Sequence, residues 1–328
     1  MIRASAPVRI DFAGGWTDVP PFAVRERGVV VNAAIDLRVQ AEFEPGGDAI
    51  LIHAEDLDQA IRVSGASDLA SDGRLELHKA ALRMFPTGPG TLRTRSEVPP
   101  GSGLGSSGAL DVVLVTVLAA ARRERLKPEE AAAHGWELEV VEAGIAGGRQ
   151  DQYAAALGGF HRFTFHGDEV GVHPLALDPE FLAELKRRTV ICYTGRSRVS
   201  GDTIARVMGA YQRGEASVCE ALLDLAAIAE GMATALEASD LSRVAELLTA
   251  NWACQQRLDP GMRTTEMAAL EAAMNSAGAL GGKAAGAGAG GSMFFIMGDD
   301  VQAGIDAARR AGARVLSVEW AKRGVTEC

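Results

Sequence analysis

The hydrophobic pattern changes character along the chain. Apolar and polar residues alternate over Val8–Phe12, as in a strand with two unlike faces, and the pattern breaks at Gly14-Gly15. Gly28–Ile35 is apolar and β-branched, and Leu37–Phe43 alternates again. The turn signal Pro45-Gly46-Gly47 follows, so Ala49–His53 is expected to pair back as a hairpin. Leu92–Val98 reads as a strand with one wet face. From Ser107 the period lengthens. Ser107–Arg122 is a helix rich in Ala, Leu and Val, and Pro128 opens a second helix running toward Glu142. Gly144–Gly148 ends that helix, and a third begins near Asp151.

The second half reads β-α-α-α-α-β-α-β. Strands are expected over Thr189–Thr194, Ser292–Met297 and Ala313–Trp320, with helices near 201–212, 217–238, 241–257, 264–276 and Val301–Ala311. Strands and helices mix without regular βαβ alternation, which favours an α+β class over a doubly wound sheet. A boundary near His173–Asp178 divides the chain into 1–175 and 176–328.

Composition narrows the function classes. A chain of 328 residues suggests two domains, and 47% hydrophobic with 23% charged residues is ordinary globular composition. The net charge of -10 argues against nucleic acid, whose backbone needs a basic face. Cys192, Cys219, Cys254 and Cys328 form no CxxC pair, so no zinc or redox motif is expected, and the location expected is cytoplasmic. No signal peptide or membrane span is expected. The histidines show no metal-ligand spacing, and His161 and His166 fall on opposite faces of a strand.

Candidate chemistry centres on Pro100-Gly101-Ser102-Gly103-Leu104-Gly105-Ser106-Ser107-Gly108, between a strand and a helix. Glycines let backbone amides approach a ligand, and the first amides of the following helix lack internal partners. Together they form an anion site to which Ser106 and Ser107 add hydroxyls, either for a phosphate or for Mg²⁺. Gly103, Gly105 and Gly108 also satisfy G-x-G-x-x-G, but the half-polar strand TLRTRSEV before them suits a dinucleotide fold poorly. Gly282-Lys283 misses the other nucleotide loop, with Ala277 and Ala284 at the decisive places.

Three segments together carry a family resemblance: APVRIDFAGGWTDVPPF (Ala6–Phe22), VPPGSGLGSSGAL (Val98–Leu110) and GGKAAGAGAGGSMFF (Gly281–Phe295). In order and spacing they resemble the three motifs of the GHMP kinase superfamily. The resemblance implies a two-domain α+β fold, with a ribosomal-protein S5-like N-terminal domain, a ferredoxin-like C-terminal domain and ATP between them. Within the superfamily, GGWTDVPP looks like L-fucokinases. GIAGGRQDQYAAALGGF (Gly144–Phe160) and YTGRSR (Tyr193–Arg198) look more like D-glycero-D-manno-heptose 7-phosphate kinases. The implied reaction is ATP- and Mg²⁺-dependent phosphorylation of the anomeric hydroxyl of a sugar or sugar phosphate. Heptose 7-phosphate is the first expectation and a free sugar such as L-fucose the second. A catalytically inactive binding protein, a decarboxylase of the mevalonate branch and a dinucleotide oxidoreductase are the competing readings. A homodimer is kept as an option.

The resemblance also implies roles. Asp151 is the acceptor at the attacking hydroxyl, and Arg9 neutralises developing charge. The loop Pro100–Ser107 binds ATP, and Ser107 with Glu139 holds the metal, Glu142 being the alternate at i+3. Gly15, Trp16, Thr17 and Asp18 face the sugar, while Arg149, Arg196 and Arg198 are candidates for a substrate phosphate. Gly286, Gly288 and Gly290 form a supporting loop. Galactokinases carry Glu and His where this chain has Gly15 and Trp16, so galactose is not the expected substrate. Ala289 stands where glycine is usual, which requires a negative φ there.

Overall fold

In the computed structural model, which describes residues 1–195 and 201–327, the alternating N-terminal segment is strand β1 (Ile2–Ala13). A short helical turn, α1 (Phe22–Arg25), leads into β2 (Gly28–Pro45), which pairs antiparallel with β1. Gly28–Ile35 and Leu37–Phe43 are therefore one strand. A register shift opposite Pro7/Val8 takes up Asp36 and Leu37 as a bulge, which the sequence registers as a break in pattern.

The expected hairpin of Ala49–His53 does not form. β3 (Ile50–Ala54) pairs antiparallel with β4 (Gln59–Val63) and parallel with β5 (Gly90–Ser96), reached through helix α2 (Glu76–Met84). β5 itself occupies the edge of β2 from Val39 to Pro45, which leaves no edge for β3 to fold back on. Helices α3 (Ser106–Ala121), α4 (Pro128–Trp136) and α5 (Gln150–Leu157) pack on one another, with α3 and α5 against β1 and β2. β6 (Phe160–His166) pairs with the Gly28–Ala33 stretch of β2, and β7 (Glu169–Pro174) pairs with β6.

The second half opens with α6 (Pro179–Arg188). Its N-terminus is capped by Asp178, whose carboxylate accepts the Glu180 and Phe181 N–H groups. β8 (Thr189–Tyr193) follows, then α7 (Gly201–Gln212), α8 (Ala216–Glu237), α9 (Leu241–Gln256) and α10 (Thr265–Ser276). β9 (Ala279–Ala284) is glycine-rich and escaped the pattern, whereas β10 (Ser292–Met297) and α11 (Val301–Arg310) lie where they were expected. The last expected strand is shorter, β11 (Arg314–Leu316), because the chain then leaves the sheet. Trp320 bridges to Ile35, its ring 4.9 Å from Phe160 and 6.4 Å from Phe12. β12 (Thr326–Glu327) pairs with Ala4 and Ser5 of β1.

Two sheets result. The larger runs β12-β1-β2-β5-β3-β4, with β6 and β7 branching from β2. The smaller runs β11-β8-β10-β9, the antiparallel 4-1-3-2 order of a ferredoxin-like unit. A shared core joins them: Phe12, Phe163, Ala229, Met232 and Phe294 belong to one buried cluster, with the Phe12 and Phe294 rings 5.3 Å apart. Among the described residues, no helix is long and apolar enough to cross a membrane.

Candidate active site

A cavity of about 270 Å³ opens where β1, the glycine-serine loop before α3, residues 145–151 and the loop between β9 and β10 converge. The alternation of β1 decides which residues face it. Arg9 and Asp11 line the cavity, while Val8, Ile10 and Phe12 enter the core. The backbone of β1 holds both loops in place: Arg9 N–H donates to Leu104 O at 2.8 Å and Asp11 N–H to Ala285 O at 3.1 Å.

The Arg9 guanidinium is the hub. Its Nε and Nη2 donate to the two carboxylate oxygens of Asp151, at 2.7 and 2.9 Å. Its Nη1 donates to Gly103 O at 2.7 Å and Ala285 O at 3.0 Å. One planar cation thus fixes Asp151, the glycine-serine loop and the β9–β10 loop together, with the forked geometry that only arginine offers.

Gly101, Gly103 and Gly105 take positive φ values of 67°, 74° and 78°, so the loop coils tightly before α3. No side chain caps the first turn of α3, which leaves its N–H groups and the positive end of the helix dipole for an anion. Gly101, Gly103, Gly105, Ser106 and Ser107 line the cavity. Ser102 and Leu104 are buried in the loop's own packing, and Pro100 lines an adjoining, largely apolar cavity of about 160 Å³ with Val39, Leu57, Leu77 and Leu110.

The β9–β10 loop braces this turn from behind. Ser292 N–H donates to Ser102 O at 2.7 Å, and a Cβ on Gly286 would lie 2.4 Å from Gly103 O. Gln255 Nε2 donates to Gly286 O at 2.8 Å, and Gly290 N–H reaches Met267 Sδ at 3.3 Å. Gly288 backs onto Met262.

Carboxylates crowd the opposite wall, Asp18 and Glu139 lining it and Asp111 buried behind it. Asp18 is buried and accepts the Gln150 N–H at 3.0 Å and its Nε2 at 3.3 Å. Burial, with the nearby charges of Asp151 and Asp11, raises its pKa to about 6. Glu139 and Asp111 both accept from Gln152 Nε2, at 2.8 and 3.1 Å. Burial and then the charge of Asp151 push Glu139 up to about 7, against the lowering influence of the Gln152 amide and the nearby Ser107 hydroxyl. Burial and then Glu139 raise Asp111 well above the usual carboxylate range.

The chain matches the GHMP kinases N terminal domain over residues 75–159 and the GHMP kinases C terminal domain over 232–314. It is 31% identical over 333 residues to D-glycero-alpha-D-manno-heptose 7-phosphate kinase of Campylobacter jejuni, covering 99% of this chain and 98% of that one. The chain belongs to the GHMP kinases. A structure of a D-glycero-D-manno-heptose 1-phosphate kinase from Bacteroides thetaiotaomicron is similar over 100% of this chain and 99% of that one, with a TM-score of 0.82 at 25% identity. The bifunctional fucokinase/GDP-fucose pyrophosphorylase of Arabidopsis thaliana is 27% identical over 79% of this chain and 26% of its own length. As a GHMP kinase the chain is an ATP-dependent kinase.

Several residues expected at a GHMP kinase site lie elsewhere. The Thr17 hydroxyl is fully buried outside the cavity lining, with its one hydrogen between Gly14 O (2.7 Å) and Val29 O (3.0 Å) and the Val29 N–H donating to it, so it does not face a sugar there. Arg149 is absent from the cavity lining. It stacks on Trp136 at 4.3 Å, donates to Gly167 O at 3.0 Å and lies 3.5 Å from Asp168, because helix geometry turns it away from Gln150 and Asp151. Glu142 points outward to Arg83, since residues Glu137–Glu142 widen to π-helical bonding and i+3 no longer shares the face of Glu139. Arg196 and Arg198 lie outside the described residues. Trp16 both lines the cavity and belongs to the second buried apolar cluster. Ala289 has φ 55°, against the expected negative value; its N–H donates to Met262 O at 2.7 Å, which holds the left-handed turn.

Other residues of the site were missed. Asp11 follows Arg9 at i+2, so the strand alternation already signalled its direction. Asp111 is an acid inside the apolar run GALDVVLV, a weaker signal of the same kind. Gln150, Gln152 and Lys283 have no signal beyond position, and only the packing shows their partners.

Proposed function

We propose that this kinase transfers the γ-phosphoryl group of ATP to the anomeric hydroxyl of a sugar, with D-glycero-D-manno-heptose 7-phosphate as the substrate. The observation that carries the reading is the bidentate Arg9–Asp151 pair, which shares one cavity with the α3 N-terminus and with the sugar-facing Asp18. The triphosphate lies along Gly101–Ser107, and the adenine enters the apolar cavity beside Pro100. The sugar occupies the wall formed by Gly15, Trp16, Asp18 and Gly148. Asp151 accepts the hydrogen of the attacking hydroxyl, and Arg9 keeps the carboxylate aimed and offsets charge as the phosphoryl group transfers.

The acid wall fits Mg²⁺. Glu139 lines the cavity with Ser107 and the α3 N-terminus, so a carboxylate and a hydroxyl oxygen face the same space as the phosphate loop. Among the described residues no group of three or more His, Cys, Asp or Glu forms a metal cage, and Mg²⁺ needs none when phosphates and waters complete its shell. Ser107 and Glu139 would hold the ion, which when bound neutralises phosphate charge.

One observation favours a free sugar as the second reading. Among the described residues lining the cavity, the basic side chain is Arg9, and Asp151 already engages it. A phosphate on the substrate must then be met from outside this lining, where Arg196 and Arg198 are the remaining candidates. A steady-state kinase screen over heptose 7-phosphate, free heptose and L-fucose separates the two readings. Turnover with none of them sinks both.

A further inference from the structure

Asp11 does more in this site than neutralise a neighbour. It lines the cavity yet is only 2% exposed. Its Oδ2 lies 3.2 Å from Lys283 Nζ. That ammonium is fully buried and also donates to Asp11 O at 2.6 Å and Ala284 O at 2.8 Å, so its three donors are used and its position is fixed. The other oxygen, Asp11 Oδ1, is buried without a hydrogen-bond partner among the described residues. A buried charged acceptor left unpaired is unfavourable unless a ligand completes it.

Gly15 makes the arrangement possible. A Cβ at that position would lie 2.1 Å from Asp11 Oδ2 and 3.3 Å from Gln150 Nε2. Any side chain there would expel the Asp11 carboxylate. With glycine, Asp11 and Asp18 stand on the same cavity wall, one held by Lys283 and the other by Gln150.

We propose that Asp11 is a second sugar-binding carboxylate, whose unpaired Oδ1 accepts a substrate hydroxyl, while Oδ2 sits in the space that a Gly15 side chain would take and is held by Lys283 as its fixed counter-charge. The proposal rests on the sugar-kinase reading above. It names Asp11 as a specificity determinant: a sugar lacking the hydroxyl it reads leaves the oxygen unpaired and is discriminated against.

The test compares wild type with Asp11→Ser, Asp11→Asn and the double variant Asp11→Ser with Lys283→Met, on the sugar found in the screen and on its monodeoxy analogues. Asp11→Ser is expected to raise KM for the sugar at least about tenfold while KM for ATP stays within about twofold. One deoxy analogue should be penalised by a similar factor in wild type and hardly at all in Asp11→Ser. The double variant removes both charges, so it remains a fair test even where the lone buried lysine prevents the single variant from folding. A double variant still defective for the sugar supports the proposal. Wild-type sugar KM in the double variant overturns it, since Asp11 would then serve only to neutralise Lys283. Equal deoxy penalties in wild type and variant overturn it too. Wild type inactive on every sugar removes the sugar-kinase reading and this proposal with it, an outcome distinct from an active enzyme indifferent to Asp11.

Discussion

At the residue scale, the site is organised by one arginine. Both oxygens of Asp151 are occupied by Arg9, so the carboxylate is oriented before any substrate arrives, which is where phosphoryl-transfer enzymes gain most. Asp151→Asn keeps the size but puts an amide N–H against a guanidinium donor. It is expected to lower kcat by about 10²–10⁴-fold. ATP affinity should stay near wild type by calorimetric titration. Unchanged turnover would remove Asp151 from its role.

Asp18 supplies a pH signature on the same scale. Its pKa is about 6, so the carboxylate proposed to receive the sugar is lost as pH falls through that value. Sugar kcat/KM is expected to drop on the acid side of pH 6, and Asp18→Asn to remove that limb along with most of the affinity. Stability runs the other way. In the unfolded chain Asp18 ionises near 3.8 and in the fold near 6, so its contribution is full below 3.8 and is lost as pH rises to 6. The shift corresponds to about 3 kcal/mol at most, and urea melts of wild type against Asp18→Asn between pH 4 and 7 read it as a difference in slope.

At the element scale, close approach matters more than propensity. The entry to α5 passes so near Asp18 that a Cβ on Gly148 would lie 1.9 Å from its Oδ2. Gly148→Ala is expected to raise sugar KM more than tenfold, about 1.4 kcal/mol or more, with ATP KM little changed. In the β9–β10 loop, Gly288 has φ 83° with Met262 Sδ 2.8 Å from its would-be Cβ, whereas Ala289 carries a methyl at φ 55°. Gly288→Ala should therefore cost roughly 1–3 kcal/mol, and Ala289→Gly should leave stability near wild type because relief of strain and added chain entropy oppose each other. Chemical denaturation of the two variants checks the contrast.

At the scale of the whole molecule, the chain ends where it began. Trp320 packs on Phe160 and Phe12 and donates its indole N–H to Leu182 O at 3.1 Å, while β12 pairs with β1, the strand that carries Arg9 and Asp11. Trp320→Ala is expected to cost roughly 2–4 kcal/mol and to lower the melting midpoint by several degrees. Loss of kcat beyond the unfolded fraction would show that the C-terminal segment also holds β1 in register.

Much of this was legible in the chain. The helices of the second half, the strand of Arg9 and the tight glycine-serine loop before α3 followed from period and punctuation, because hydrophobic periodicity and glycine are local signals. Three ordered motifs pointed to the GHMP kinases, and Arg9 with Asp151, 142 positions apart, met as the resemblance implied. Tertiary structure alone decided the rest. It spliced two apparent strands into β2 and sent β3 to β5, because strand partners depend on which edge is free. It turned Arg149 and Glu142 outward, because a helix face is fixed only once the helix is packed. It also set Lys283 under Asp11, leaving an unpaired carboxylate oxygen at the cavity wall. A local pattern fixes the direction in which a side chain leaves the backbone, but the charges and spaces it meets come from segments hundreds of residues away.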